Sequence, residues 1–190
     1  MDVDATTDKE EPTRRDFIHI ASGTAVVVGT GFFAWPLIDQ MNPAADTLSL
    51  ATIDFDVSDL EEGQQVVAKW QGKPVFIRYR TKAEIAEADA VDLDDLKDPQ
   101  TDNERLIAGP DGKLKPEYLV TIGICTHLGC VPLFDPNDEK GGEYRGWFCP
   151  CHGSHYDNSG RIRKGPAPTN LEIPPYRYMS DTLLQIGTEA

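Results

Sequence analysis

The chain has 190 residues, with 18 Lys and Arg against 32 Asp and Glu and a net charge of −14, room for one ordinary domain plus an appendage. Acidity without any stripe of Lys or Arg argues against nucleic acid as a partner. The four cysteines (Cys125, Cys130, Cys149 and Cys151) fall within a single 27-residue stretch, whereas a disulfide scaffold spreads its cysteines to staple distant loops. They mark a site.

In chain order, residues 1–16 form a polar N-terminal segment and residues 17–38 an apolar run, FIHIASGTAVVVGTGFFAWPLI, without Asp, Glu, Lys or Arg. At about 1.5 Å per residue the run spans about 33 Å, enough for the hydrocarbon core of a bilayer. Gly23, Gly29 and Gly31 would be costly in a water-exposed helix but are common in membrane spans, and Trp35 sits where an interfacial aromatic belongs. His19, about one turn inside, reads as an interfacial residue rather than a ligand. No A-x-A-like cleavage site follows, so the run reads as a retained anchor rather than a cleaved signal. Arg14 and Arg15 precede it, and the next basic residue is Lys69; this asymmetry predicts a cytoplasmic N-terminus with the main domain on the other side. Thr13-Arg14-Arg15-Asp16-Phe17-Ile18 resembles a twin-arginine export signal, a route that carries folded proteins. Residues 39–50, centred on Asn42-Pro43, read as a linker or hinge, because Asn-Pro disfavours helix.

From residue 51 to the end the pattern is β-rich. Thr52 to Val57 alternates apolar and polar residues, and Gln64 to Trp70 and Pro74 to Tyr79 flank Gln71-Gly72-Lys73 as a hairpin. Lys82 to Ala90 is a short helix candidate. Asp92 to Lys115 is charged and turn-rich, and reads mostly as loop. Tyr118 to Ile124 is a strand that runs into the first cysteine motif, and Leu171 to Ile173 and Leu183 to Ile186 are candidates to close the sheet. The expected class is an all-β, antiparallel domain with a metal-binding insertion at about 120–170, plus one N-terminal membrane helix.

The site motifs are Cys125-Thr-His-Leu-Gly-Cys130 and Cys149-Pro-Cys-His-Gly-Ser-His-Tyr156. They contain C-x-H and C-x-x-H, with 21 residues between His127 and Cys149. Thiolates and imidazoles bind both zinc and iron, so ligand type leaves both open. A structural zinc site more often uses C-x-x-C, and a site of four cysteines would leave the histidines without a role. His155 lies outside the C-x-x-H frame and reads as structural or solvent-facing.

The whole pattern resembles the Rieske iron–sulfur family, in which cysteines hold one iron of a [2Fe–2S] cluster and histidines the other. That resemblance implies an antiparallel Rieske-type β-sandwich with a cluster-binding subdomain. Cys125 and Cys149 would ligate one iron, and His127 and His152 the second. It also implies a Cys130–Cys151 disulfide between the two loops, in keeping with an oxidising compartment. Ser154 and Tyr156 match residues that donate hydrogen bonds to sulfur in the high-potential members of quinol-oxidising complexes. Trp70 to Thr81, Asp98-Pro-Gln-Thr-Asp102, Met41-Asn-Pro43 and Gly165-Pro-Ala-Pro168 resemble the hairpin, loop, linker and cluster-covering proline loop of proteobacterial and mitochondrial Rieske subunits of the cytochrome bc complex.

From that resemblance follow the expected partners: cytochrome b, cytochrome c1, ubiquinol and the inner membrane, within a dimeric complex. His152 would meet the quinol and take a proton as the cluster takes one electron, and a swinging head would deliver that electron to cytochrome c1. Leu128, Gly165 and Pro166 would form the docking tip and cover. Two rival readings are a Rieske subunit of another oxidoreductase, such as arsenite oxidase, and a structural zinc module.

Overall fold

The computed structural model describes residues 13–42, 51–137 and 142–188. The chain divides into two compact units, Met1–Leu48 and Ser49–Ala190. In the first, helix α1 covers Arg14–Asp39. Its start is a capping box: the Asp16 amide donates to Thr13 Oγ1, and the Asp16 carboxylate accepts from the Thr13 amide at 2.9 Å. No residue of α1 is buried, and the helix is long and apolar enough to cross a membrane. The expected span, 17–38, falls inside it. Of the expected linker, Asp39 ends the helix and Gln40 to Asn42 continue as a turn; residues 43–50 lie outside the described residues.

The second unit consists of short antiparallel sheets, as the alternating pattern predicts. Strands β1 (Ile53–Asp56), β10 (Leu183–Ile186) and β9 (Tyr176–Tyr178) form one sheet in that order. Strands β2 (Gln65–Trp70), β3 (Lys73–Tyr79) and β4 (Tyr118–Ile122) form a second. A third holds β5 (Leu133–Phe134), β6 (Arg145–Cys149), β7 (Ser154–Asp157) and β8 (Ile162–Lys164). The β2–β3 turn is tighter than the expected three residues. Lys73 pairs with Trp70, leaving only Gln71 and Gly72 between the strands. Leu171 to Ile173, expected as a strand, is extended but joins no ladder; the Glu172 carbonyl accepts one bond from the Ile122 amide at 2.7 Å. Helix α2 (Lys82–Asp89) starts with a second capping box, Thr81 with Glu84.

Strand β3 explains how the site is held. Val75 and Ile77 face one core with Val57, Val120, Tyr176 and Leu184, whereas Phe76 faces another with Cys125, Trp147, Cys149 and Tyr156. The Phe76 and Trp147 rings stack at 6.0 Å. Both faces of β3 are thus buried, which is why its sequence is a continuous apolar run rather than an alternating one.

The segment read as loop, 92–115, contains two single 3-10 turns, Leu93–Asp95 and Asn103–Arg105. Charged groups fix it internally. Arg80 donates to both Asp102 oxygens, at 2.7 and 2.9 Å, and also to the Pro116 carbonyl. Ser159 Oγ donates to the same Asp102 carboxylate. Arg105 reaches the Ser159 and Leu171 carbonyls at 2.6 and 2.7 Å, and Arg161 holds Asp157 at 2.8 Å. All of these side chains are buried.

Burial alone would raise the Asp102 pKa, but hydrogen bonds and charge from Arg80, with Ser159, bring it below the usual carboxylate range. Its contribution to stability is therefore present above the unfolded value of about 3.9, and is lost as pH falls through the lower folded value. Asp102→Asn should cost about 3–5 kcal/mol near neutral pH by stranding the Arg80 charge. The difference from wild type should shrink below about pH 4. Denaturant unfolding of the full chain at both pH values measures it, and a pH-independent difference would exclude the ion pair as its source.

Candidate metal centre

Two loops from different sheets form the site. The first leaves β4 and runs from Cys125 to Cys130; the second joins β6 to β7 from Cys149 to Gly153. Both close alike. The Gly129 amide donates to the Cys125 carbonyl and the Gly153 amide to the Cys149 carbonyl, each at 3.0 Å. Each of these glycines has a left-handed φ, 81° and 72°, which is what lets the backbone turn back on its cysteine. A further bond, Cys125 amide to Cys130 carbonyl at 2.7 Å, tightens the first loop. Each loop therefore presents a cysteine at its base and a histidine near its tip.

Cys125 and Cys149 are each 2% exposed, among Phe76, Trp147 and Tyr156, and their thiols lie close enough to interact. The His127 and His152 rings meet edge to face with centroids 4.6 Å apart. His127 is half-buried and its Nδ1 has no hydrogen-bond partner, whereas His152 is exposed. The expected four ligands thus form two pairs, one of buried thiols and one of imidazoles. The sulfurs of Cys130, Cys149 and Cys151 lie within 4.8 Å of one another. No disulfide joins Cys130 to Cys151 among the described residues, but that short separation leaves the expected pairing within reach.

Tyr156 Oη donates to Cys125 Sγ at 3.3 Å and accepts from the Thr126 amide at 3.2 Å. Burial pushes the Cys125 thiol up, but Tyr156, the His127 amide, Cys149 and Ser154 outweigh it, so the net shift is down. Burial pushes the Cys149 thiol up to about 12. Burial also raises the Tyr156 phenol, which stays a protonated donor.

A third loop lies over both. Gly165 has φ 100°, and a Cβ there would stand 2.3 Å from the Gly153 carbonyl oxygen, so only glycine permits this approach. The Ala167 amide donates to Ser154 Oγ at 3.2 Å, and Thr126 Oγ1 donates to the Thr169 carbonyl at 2.7 Å. Gly165 to Pro168 is therefore more than a rigid turn. Its buried residue is Ala167, while Pro166 faces solvent. Leu128 is 70% exposed at the first loop's tip. His155 is buried against Phe148 and Tyr144, on the strand face opposite to Tyr156.

Residues 52–176 match the Rieske [2Fe-2S] domain family, and residues 5–44 match "Ubiquitinol-cytochrome C reductase Fe-S subunit TAT signal". The ubiquinol-cytochrome c reductase iron-sulfur subunit of Rickettsia felis is 53% identical, over 94% of this chain and 95% of the relative. That of Rhodospirillum rubrum is 51% identical, over 96% of each. The chain belongs to the Rieske iron–sulfur subunits of ubiquinol–cytochrome c reductase. A chain from the structure "Hyperthermophilic respiratory Complex III" shares the architecture, with TM-score 0.52 and 27% identity over 87% of this chain and 98% of that one.

The cofactor of a Rieske subunit is one [2Fe–2S] cluster, and the residues present fit it. The Cys125 and Cys149 thiols are buried side by side, the His127 and His152 imidazoles meet at the tips of the same two loops, and the partnerless Nδ1 of His127 is a ligand atom otherwise left unsatisfied. The zinc reading and the other oxidoreductase are set aside by these relatives.

The sequence reading missed Thr126, which links Tyr156 to the covering loop, and Asn170, whose Oδ1 accepts from the Ile162 amide at 2.9 Å. Neither has a type or spacing that signals metal chemistry.

Tyr156→Phe removes the donor to Cys125 Sγ and should lower the midpoint potential of the bound cluster, because that bond favours the more negative reduced state. At about 1 kcal/mol of preference the fall is about 40 mV for a one-electron couple. Redox titration followed by EPR measures it; an unchanged potential would remove Tyr156 from the tuning role.

Proposed function

We propose that Cys125 and Cys149 hold one iron and His127 and His152 the other, and that the chain accepts an electron and a proton from ubiquinol at cytochrome b. When bound, the cluster supplies a one-electron couple of raised potential, because neutral imidazoles leave it less negative than four thiolates would. The observation that carries this reading is the exposed His152 imidazole, paired with His127 on a loop whose base is the buried Cys149. Its free nitrogen would accept a hydrogen bond from the quinol hydroxyl and then take that proton. Leu128 and the covering loop, with Gly165 and Pro166, would form the apolar docking tip around it. Ser154 and Tyr156 would favour the reduced state.

The remaining parts follow from the tether and the compartment. Residues 17–38 would anchor the chain in the inner membrane, with residues 1–16 cytoplasmic, because Arg14 and Arg15 precede the helix. Residues 51–190 would lie in the periplasm, where a Cys130–Cys151 disulfide is stable. Residues 39–50 would act as the hinge that lets the domain carry its electron to cytochrome c1, in a dimeric complex.

Membranes carrying the chain should give a reduced-state EPR signal with average g near the Rieske value. His127→Ala or His152→Ala should abolish it, and an intact Rieske spectrum in either variant would overturn the ligand assignment. Several prolines placed in residues 39–50 should slow cytochrome c1 reduction without altering the spectrum. Unimpaired turnover would reduce that segment to a passive tether.

A further inference from the structure

The covering loop meets the cluster loops through Gly165, Ala167 and Thr169, and a separate segment grips both of its ends. Lys97 Nζ donates to the Gly165 carbonyl at one end of the loop. At the other end, Asp98 Oδ2 accepts from the Asn170 amide at 2.9 Å, and the Asp98 carbonyl accepts from Asn170 Nδ2 at 3.0 Å. Gln100 backs this clamp: its Oε1 accepts from Arg105 at 2.8 Å and from Asn170 Nδ2 at 3.4 Å. Arg105, buried and fixed by two carbonyls, anchors the segment to the interior.

We infer that Lys97, Asp98 and Gln100 form a strap of positioning residues that holds the covering loop on the cluster loops and so keeps the Ala167 amide on Ser154 Oγ, leaving the hydroxyl proton to be donated to the bound cluster. This deepens the ligand assignment proposed above and rests on it. The Ala167 amide donates to Ser154 Oγ, so the hydroxyl must turn its own proton away from that amide, on a residue paired in register with the ligand Cys149. Donation into a hydroxyl oxygen also polarises its O–H and strengthens the outgoing bond. With either end of the loop loosened, Ala167 moves off Ser154, and the hydroxyl is free to turn to water. The electron-rich state then loses a donor, and the potential falls.

The sign separates this role from a charge effect. Removing the Asp98 carboxylate deletes a negative charge, which by Coulomb's law favours electron uptake and raises the potential. Asp98→Ala should nevertheless lower it, with at least a threefold fall in the reduced-to-oxidised ratio at fixed ambient potential. That ratio corresponds to about 28 mV for a one-electron couple. Asp98→Asn keeps a side-chain acceptor for the Asn170 amide and should hold the wild-type potential or rise above it. Lys97→Met, at an exposed position that cannot unfold the domain, provides a second and charge-independent readout. Amide hydrogen exchange of Ala167 should quicken in Lys97→Met and in Asp98→Ala, and not in Asp98→Asn.

The measurements use the full-length, cluster-loaded chain in detergent, by EPR-monitored redox titration and peptide-resolved exchange. An unchanged or raised potential in Asp98→Ala, or wild-type exchange at Ala167 in both loosened variants, would overturn the strap. A fall in Asp98→Asn equal to that in Asp98→Ala would do the same. A Rieske spectrum retained throughout keeps the ligand assignment separate from this outcome, whereas its absence in the wild-type chain would count against that assignment alone.

Discussion

The Arg80–Asp102 pair holds together pieces that the strands alone leave apart. Both side chains are almost fully excluded from water, at 0% and 1% exposure. An isolated charge at such a place costs several kcal/mol, so each member obliges the other to stay. Arg80 follows β3, Asp102 belongs to the long 92–115 segment, and Ser159, which also binds Asp102, lies in the turn between β7 and β8. One carboxylate thus ties the hairpin sheet, the irregular segment and the sheet that bears the second cysteine loop. Arg105 and Arg161 repeat the device by bonding mainly to carbonyls that no ladder satisfies. The network costs much to bury, but it fixes relative positions that apolar contacts of several geometries would leave open.

That rigidity matters because the site is divided between two sheets. Cys125 follows β4 and Cys149 ends β6, and they meet beside the contact where Phe76 of β3 stacks on Trp147 of β6. The buried base and exposed tip then follow from loop length. A loop closed by a single backbone bond from cysteine to glycine has room for three residues, and the histidine among them is carried outward. Low-dielectric surroundings at the sulfurs strengthen each hydrogen bond they receive. Meanwhile His152 remains open to a partner.

The sequence revealed the site's identity more readily than its support. Strands with a clean alternation or a tight turn were legible, as was the apolar helix. The cysteine and histidine positions were legible because only a few residue types bind metal, and their spacing is specific. Leu171 to Ile173 misled, because a short apolar run is equally at home in an extended segment that joins no ladder. The 92–115 segment misled more deeply. Its charged residues read as a solvated loop, yet Asp102 and Arg105 are among the most buried side chains in the domain. Composition cannot distinguish a charge facing water from one facing its counter-ion, because the difference lies in a partner tens of residues away.

The same reasoning explains why the covering loop needs outside help. Pro166 and Pro168 stiffen it, but proline has no amide hydrogen, so two of its positions cannot donate to anything beneath. The Ala167 amide and the Thr169 carbonyl bond the cluster loops. A stiff loop with few bonds of its own moves as a unit, hinged at its ends, and its seating is decided where those ends are held. Gly165 and Asn170 are the two points the Lys97–Gln100 segment grips. Proline in the loop and a polar clamp at its flanks are therefore one design: rigidity makes the ends sufficient, and the clamp makes the rigidity useful. It follows that residues more than 50 positions upstream in sequence can govern a hydroxyl next to the cluster without touching it.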